Sequence, residues 1–91
     1  MIRQVDKSRF NIQLSSHPER HRELTWCATE DNAILGVVLF DLVDKDYSWL
    51  VLTENDRGPG YSASVIGTSH ATEEDATAAL HDAMRSARGN R

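Results

Sequence analysis

Two apolar runs, "ILGVVLFDL" (Ile34–Leu42) and "YSWLVLTE" (Tyr47–Glu54), flank a short acidic break. Both are β-branched, aromatic and aliphatic, and of strand length. Neither shows the polar residue at every second position that marks a half-solvated strand. A hairpin built from them is apolar on both faces, so each face needs a cover. A two-residue loop at Asp44–Lys45, a common hairpin connection, pairs Val43 with Asp46, Leu42 with Tyr47, Phe40 with Trp49 and Val38 with Val51. That register places Ile34, Val38, Phe40, Leu42, Tyr47, Trp49 and Val51 on one face. Leu35, Val37, Leu39, Leu50 and Leu52 take the other, with Asp41, Ser48 and Glu54 at its ends.

The rest of the chain supplies one clear cover. Thr72 is a good helix N-cap, and Glu73, Glu74 and Asp75 put negative charge on the first turn, where the helix dipole favours it. Ala76, Ala79, Leu80, Ala83, Met84 and Ala87 follow helical spacing, Arg85 and Arg88 suit the last turns, and Gly89 suits the C′ position. The inward face is small, mostly alanine, which lets a helix lie close to a sheet. Upstream, "SRFNIQL" (Ser8–Leu14) alternates, predicting a half-buried strand with Phe10, Ile12 and Leu14 on one side. Ser16, Pro18 and Glu19 have the spacing of a short helical turn. "LTWCATE" (Leu24–Glu30) reads as a strand and "DNA" (Asp31–Ala33) as a turn. "NDRGPG" (Asn55–Gly60) is dense in turn formers, and "YSASVIGTS" (Tyr61–Ser69) is a more polar strand suited to an edge.

An α+β fold emerges: a four- to five-stranded antiparallel meander over 24–69, with a C-terminal helix over 72–88 packed on one face. The 91 residues suit a single domain spanning 1–91, with 1–9 and 89–91 expected to be flexible. A chain this short buries only about 60–65% of its unfolded surface. If the Phe10–Leu14 segment leaves the second sheet face open, then Leu35, Val37, Leu39, Leu50 and Leu52 form an apolar patch of the kind that docks a partner, most simply a second copy of the chain.

Charge is unevenly spread. The overall net charge is −4, but residues 24–84 carry only Lys45 and Arg57 against eleven acids, a net of −9, while both termini are basic. An acidic body repels phosphate and attracts basic surfaces, so direct nucleic-acid binding by it is not expected and a basic protein partner is. No apolar run reaches the ~20 residues of a membrane span, and the N-terminus lacks the apolar core of a signal peptide. A cytoplasmic protein without membrane contact is the expectation. Cys27 is the only cysteine, so no intrachain disulfide can form.

The acidic break does not read as a metal loop. Counted from Asp44 in an EF-hand frame, Trp49 stands where glycine is needed and Asn55 where a bidentate carboxylate is needed. His17 and His21 have i, i+4 spacing, but no cysteine pair or HExxH pattern supplies further zinc ligands. Cys27 lacks an activating neighbour. No nucleophile elbow, P-loop or dinucleotide fingerprint is present. Trp26, Tyr47, Trp49 and Tyr61 lack the basic groove that a nucleic-acid stacking platform uses. The residues therefore point to no enzyme and no cofactor. The candidate protein-binding residues are Asp41, Asp44 and Asp46 at the hairpin tip, extended by Glu30, Asp31, Glu54 and Asp56.

The pattern Trp26-x-Ala28, "LGVV" (Leu35–Val38), Asp41, Asp44, "DY" (Asp46–Tyr47), Trp49 and Val51–Leu52 resembles one found in short, mostly uncharacterised bacterial proteins of the mobile-element type. It covers roughly residues 24–54 and carries no activity with it. In size, acidity and lack of catalytic motifs the chain is also similar to anti-CRISPR and other anti-defence proteins. That likeness implies inhibition of a nucleic-acid-directed host system through an acidic surface. The ending "GTSHATEEDATAALHDAM" (Gly67–Met84) faintly resembles HicB-type antitoxins but lacks their preceding glycine-rich signature. It leaves an alternative: a regulatory dimer that contacts a toxin or nucleic acid through its Arg-rich termini.

Overall fold

The apolar runs become the centre of a five-stranded antiparallel sheet in a computed structural model, which describes residues 2–10 and 20–89, with side chains through Ala87. The strands are β1 (Arg3–Val5), β2 (His21–Ala28), β3 (Ile34–Asp41), β4 (Tyr47–Glu54) and β5 (Tyr61–His70). They lie in the order β1-β2-β3-β4-β5, each antiparallel to its neighbour. One helix, α1 (Glu73–Gly89), comes after β5 and crosses β3, β4 and β5. Thr72 caps it: its Oγ1 accepts the Asp75 amide at 3.1 Å. Gly89 closes the last turn from inside the helix.

Both faces of the central hairpin are filled. On the helix side, Cys27, Ile34, Val38, Trp49 and Val51 meet Ala76, Leu80 and Met84. Gly36 makes this close approach feasible. A Cβ there would stand 2.7 Å from Met84 Sδ and 2.8 Å from Leu80 Cδ1. On the far side Trp26, Ala28, Leu35, Val37, Leu39 and Leu52 form a second cluster, with Val5, Phe10, Leu50 and Tyr61 packed against it. Phe10 meets Tyr61 edge-on, with ring centroids 6.1 Å apart. The second face, which the sequence left either covered or open to a partner, is closed within the single chain. Leu35, Val37, Leu39 and Leu52 are buried and Leu50 is half-buried.

Three local expectations need correction. Ser8–Phe10 is not strand: Lys7–Phe10 is a short 3₁₀ turn. Asp6 offers the backbone a local alternative, accepting the Ser8 amide at 3.0 Å and the Ser8 hydroxyl at 2.9 Å. The remainder of that expected strand, 11–14, and the expected turn around Ser16, Pro18 and Glu19 lie outside the described residues. Residues 3–5, expected to be flexible, instead form the edge strand β1. Lys7 anchors the 3₁₀ turn to β2, with Nζ 3.1 Å from Glu23 Oε1 and 5.9 Å from the centre of the Trp26 ring.

The hairpin register is also displaced. Phe40 pairs with Tyr47, Val38 with Trp49 and Gly36 with Val51. The loop is Leu42–Lys45, closed by the Asp41 amide donating to Asp46 O at 2.8 Å. Strand side chains alternate with period two, so a two-residue displacement leaves each residue on its expected face.

Candidate functional site

A meander alternates its turns between two ends of the sheet, which sorts the seven acidic candidates into two groups. Asp41, Asp44 and Asp46 lie at the end where β3 passes to β4. Glu30, Asp31, Glu54 and Asp56 lie at the opposite end, in the β2–β3 and β4–β5 connections or beside them.

At the hairpin end, Asp41 is not a surface contact. It is buried, and its Oδ1 accepts the Val43 amide at 2.8 Å and the Asp44 amide at 2.9 Å. Its Oδ2 is 3.3 Å from Arg20 Nε and 3.6 Å from His21 Nε2. The Asp44 amide above all, then the Val43 amide and Arg20, hold the Asp41 carboxyl below the usual carboxylate range, against the opposing effect of burial. Asp44 remains open, with its side chain 57% exposed and 3.3 Å from Arg20 Nη2. Asp46 is half-buried. β5 finishes at this same end, His70 pairing with Tyr47, so the first turn of α1 emerges here. Exposed Glu73, Glu74 and Asp75 thereby join Asp44 and Asp46. Counting strands would have revealed this: two strands, β4 and β5, separate the β3–β4 turn from the helix, and an even number returns the chain to the same end.

The opposite end is more tightly knit. Asp31 Oδ1 accepts the Thr29 hydroxyl at 2.8 Å and the Ala33 amide at 3.1 Å, shaping the β2–β3 turn. Arg3 donates to Thr29 O at 2.7 Å and to Asn32 Oδ1 at 2.6 Å. The Tyr61 hydroxyl donates to Asn32 O at 2.7 Å. Burial, then the negative charges of Glu54 and Asp31, push the Tyr61 hydroxyl above its ordinary pKa. Glu30, Glu54 and Asp56 are exposed. Arg3 and Lys7 both have partners within the chain, which weakens a role for the basic N-terminus in holding a separate molecule.

The residues able to carry chemistry are dispersed. Cys27 is buried in the helix-side core, 3.6 Å from Met84 Sδ, and burial pushes its thiol up to about 11. A thiol held neutral is a poor nucleophile. Trp49 and Tyr47 lie on the helix side, Trp26 and Tyr61 on the other, so they make no common platform. Among the described residues no group of three or more His, Cys, Asp or Glu side chains is placed to hold a metal ion. His17 lies outside the described residues; His21 sits against Asp41. A cleft of about 210 Å³ lies between α1 and the strands β1 and β2, and a larger, more open depression of about 650 Å³ runs along the first turns of α1, lined by Thr72, Glu73, Glu74, Thr77 and Ala78. No helix among the described residues is long and apolar enough to cross a membrane.

Sequence reasoning placed β5 at an edge, as the sheet order bears out, but did not mark that edge as a surface. This ten-residue strand is exposed along most of its length, with Val65 at 41% and Ile66 at 65%. Its Gly67 lies under Trp49, whose indole a Cβ would strike, and Trp49 Nε1 donates to His70 Nε2 at 3.0 Å. Compared with models of known protein families, with curated proteins and with solved structures, the chain matches none.

Proposed function

We propose that this chain is a small non-enzymatic binding module that docks a basic protein surface onto the hairpin end of its sheet. One observation carries the reading: Asp44, Asp46, Glu73, Glu74 and Asp75 come from two separate elements to the same end, where Arg20, Arg22 and Lys45 offset only part of their charge. Surfaces of one sign steer oppositely charged partners and fix their orientation. The most concrete version is an inhibitor of a nucleic-acid-directed defence system. There the acidic end would occupy a groove that otherwise holds phosphate. Asp41 builds the turn that presents the other acids, so it supports the contact without making it.

The test is affinity capture from the native host with the full chain and two charge-reversed variants. Asp44→Lys with Glu74→Lys removes the partner while Glu54→Lys with Asp56→Lys, at the far end, retains it. Equal recovery with both variants refutes the assignment of the hairpin end. Recovery that does not weaken as salt rises refutes the electrostatic basis.

A further inference from the structure

We propose that β5 is a self-association edge, joining two copies of the chain through an antiparallel β5–β5 pairing about a two-fold axis at Ile66. The partner is argued from four features of the strand and its flanks. First, the two edges of the sheet differ. β1 is three residues long and begins with Arg3, whereas β5 is ten residues long and carries no Asp, Glu, Lys or Arg. Natural edges are usually blunted by charge or proline, and β5 has neither. Two copies can therefore approach edge to edge without opposing like charges along the strand.

Second, the apolar side chains fit that axis. Register shifts against β4 fall on either side of Val65–Gly67, leaving these three residues regularly paired to Val51, Leu50 and Trp49. A two-fold at Ile66 sets Ile66 against its own copy on the far face, where it is otherwise 65% exposed. It sets Val65 on the helix face against the other copy's Gly67, beside the Trp49 ring that covers that glycine. Aliphatic pairs directly opposite each other across an antiparallel ladder are stabilising.

Third, the flanks are complementary. Arg57 is exposed in the β4–β5 connection and makes no ion pair among the described residues. Thr77 and His81 lie on the helix flank toward β1 and β2, so helical phase puts Asp75 on the flank toward β5. In the two-fold arrangement the β4–β5 connection of each copy comes beside the first helical turn of the other. Arg57 then meets Asp75, twice by symmetry. Asp82 on the same flank is already held by Arg85 at 3.0 Å. Fourth, this pairing uses neither the hairpin tip nor the buried Leu35–Leu39 face, and of the acidic end it engages only Asp75.

Sedimentation of the full chain tests the proposal. The wild type should move from its monomer mass of 10.2 kDa to twice that value with rising concentration. Ile66→Lys should abolish the shift, and circular dichroism should show an intact fold because the position is exposed. Arg57→Glu should weaken self-association about 10-fold, and adding Asp75→Lys should restore it. Ile66→Cys should form an intermolecular disulfide on mild oxidation, since residues opposed on adjacent strands have the Cα spacing a disulfide needs. A wild type that stays monomeric up to its solubility limit overturns the proposal. So does a dimer that survives Ile66→Lys.

Discussion

β3 and β5 are both strands of the same sheet, both carry one glycine turned toward the helix side, and they have opposite fates. β3 is buried at every position except Phe40. β5 is exposed at all but three. Gly36 in β3 is filled from outside the sheet by Leu80 and Met84, whereas Gly67 in β5 is filled from within it by Trp49. The helix therefore keys onto the centre of the sheet, and the edge is finished by a neighbouring strand's own side chain. Burial is concentrated in β3, and the outer edge of β5 has no neighbouring strand among the described residues.

Substitutions at matched positions should break that contrast if it is wrong. Leu35→Ala in β3 should cost about 2–5 kcal/mol, measured by urea denaturation, and is large enough to threaten folding in a domain of this size. Gly36→Val and Gly67→Val should each cost about 1–3 kcal/mol by overpacking. The second is the sharper case, because valine at an exposed edge position ordinarily favours a strand. A neutral Gly67→Val would mean that Trp49 does not lie over β5. Tyr61→Phe should cost about 0.5–1.5 kcal/mol through the lost bond to Asn32 O. Ile66→Ala should change the monomer by less than about 0.5 kcal/mol, and a cost like that at Leu35 would erase the difference between the strands.

Acidity of Cys27 gives a pH-dependent check on the same core. Its thiol titrates near 9.0 when unperturbed and at about 11 in the folded chain. The unfolded chain releases this proton first, so the stabilisation is complete below pH 9.0 and is lost as pH rises toward about 11. Cys27→Ala should flatten that slope in denaturation measured across the window. An unchanged slope would place the titrating group elsewhere.

Patterns with strong local causes were legible in the sequence. Helix α1, its Thr72 cap, the meander and the two-faced hairpin all follow from periodicity and run length. Faces survived an error in register because the period of a strand is two. The N-terminal segment was not legible in the same way: Asp6 captures the backbone after it, a short-range polar effect that outweighs the alternation around Phe10. Nor was the closing of the second face, which depends on where Val5, Phe10 and Tyr61 arrive from distant positions. Composition cannot tell one acidic candidate from another. Burial separates Asp41, a turn builder, from Asp44 and Asp46, and topology adds Glu73, Glu74 and Asp75 beside them. Gly67 and Trp49 form a pair eighteen residues apart that no local pattern announces.

Asp41 has a further consequence for how the chain reaches this state. Two registers of the β3–β4 hairpin, offset by two residues, bury the same side chains on the same faces. Hydrophobic patterning alone does not choose between them. The choice falls to Asp41, whose carboxylate gathers the Val43 and Asp44 amides while its own amide reaches Asp46 O. Asp41, a candidate contact by its sequence, thus builds the turn that belongs to the observed register.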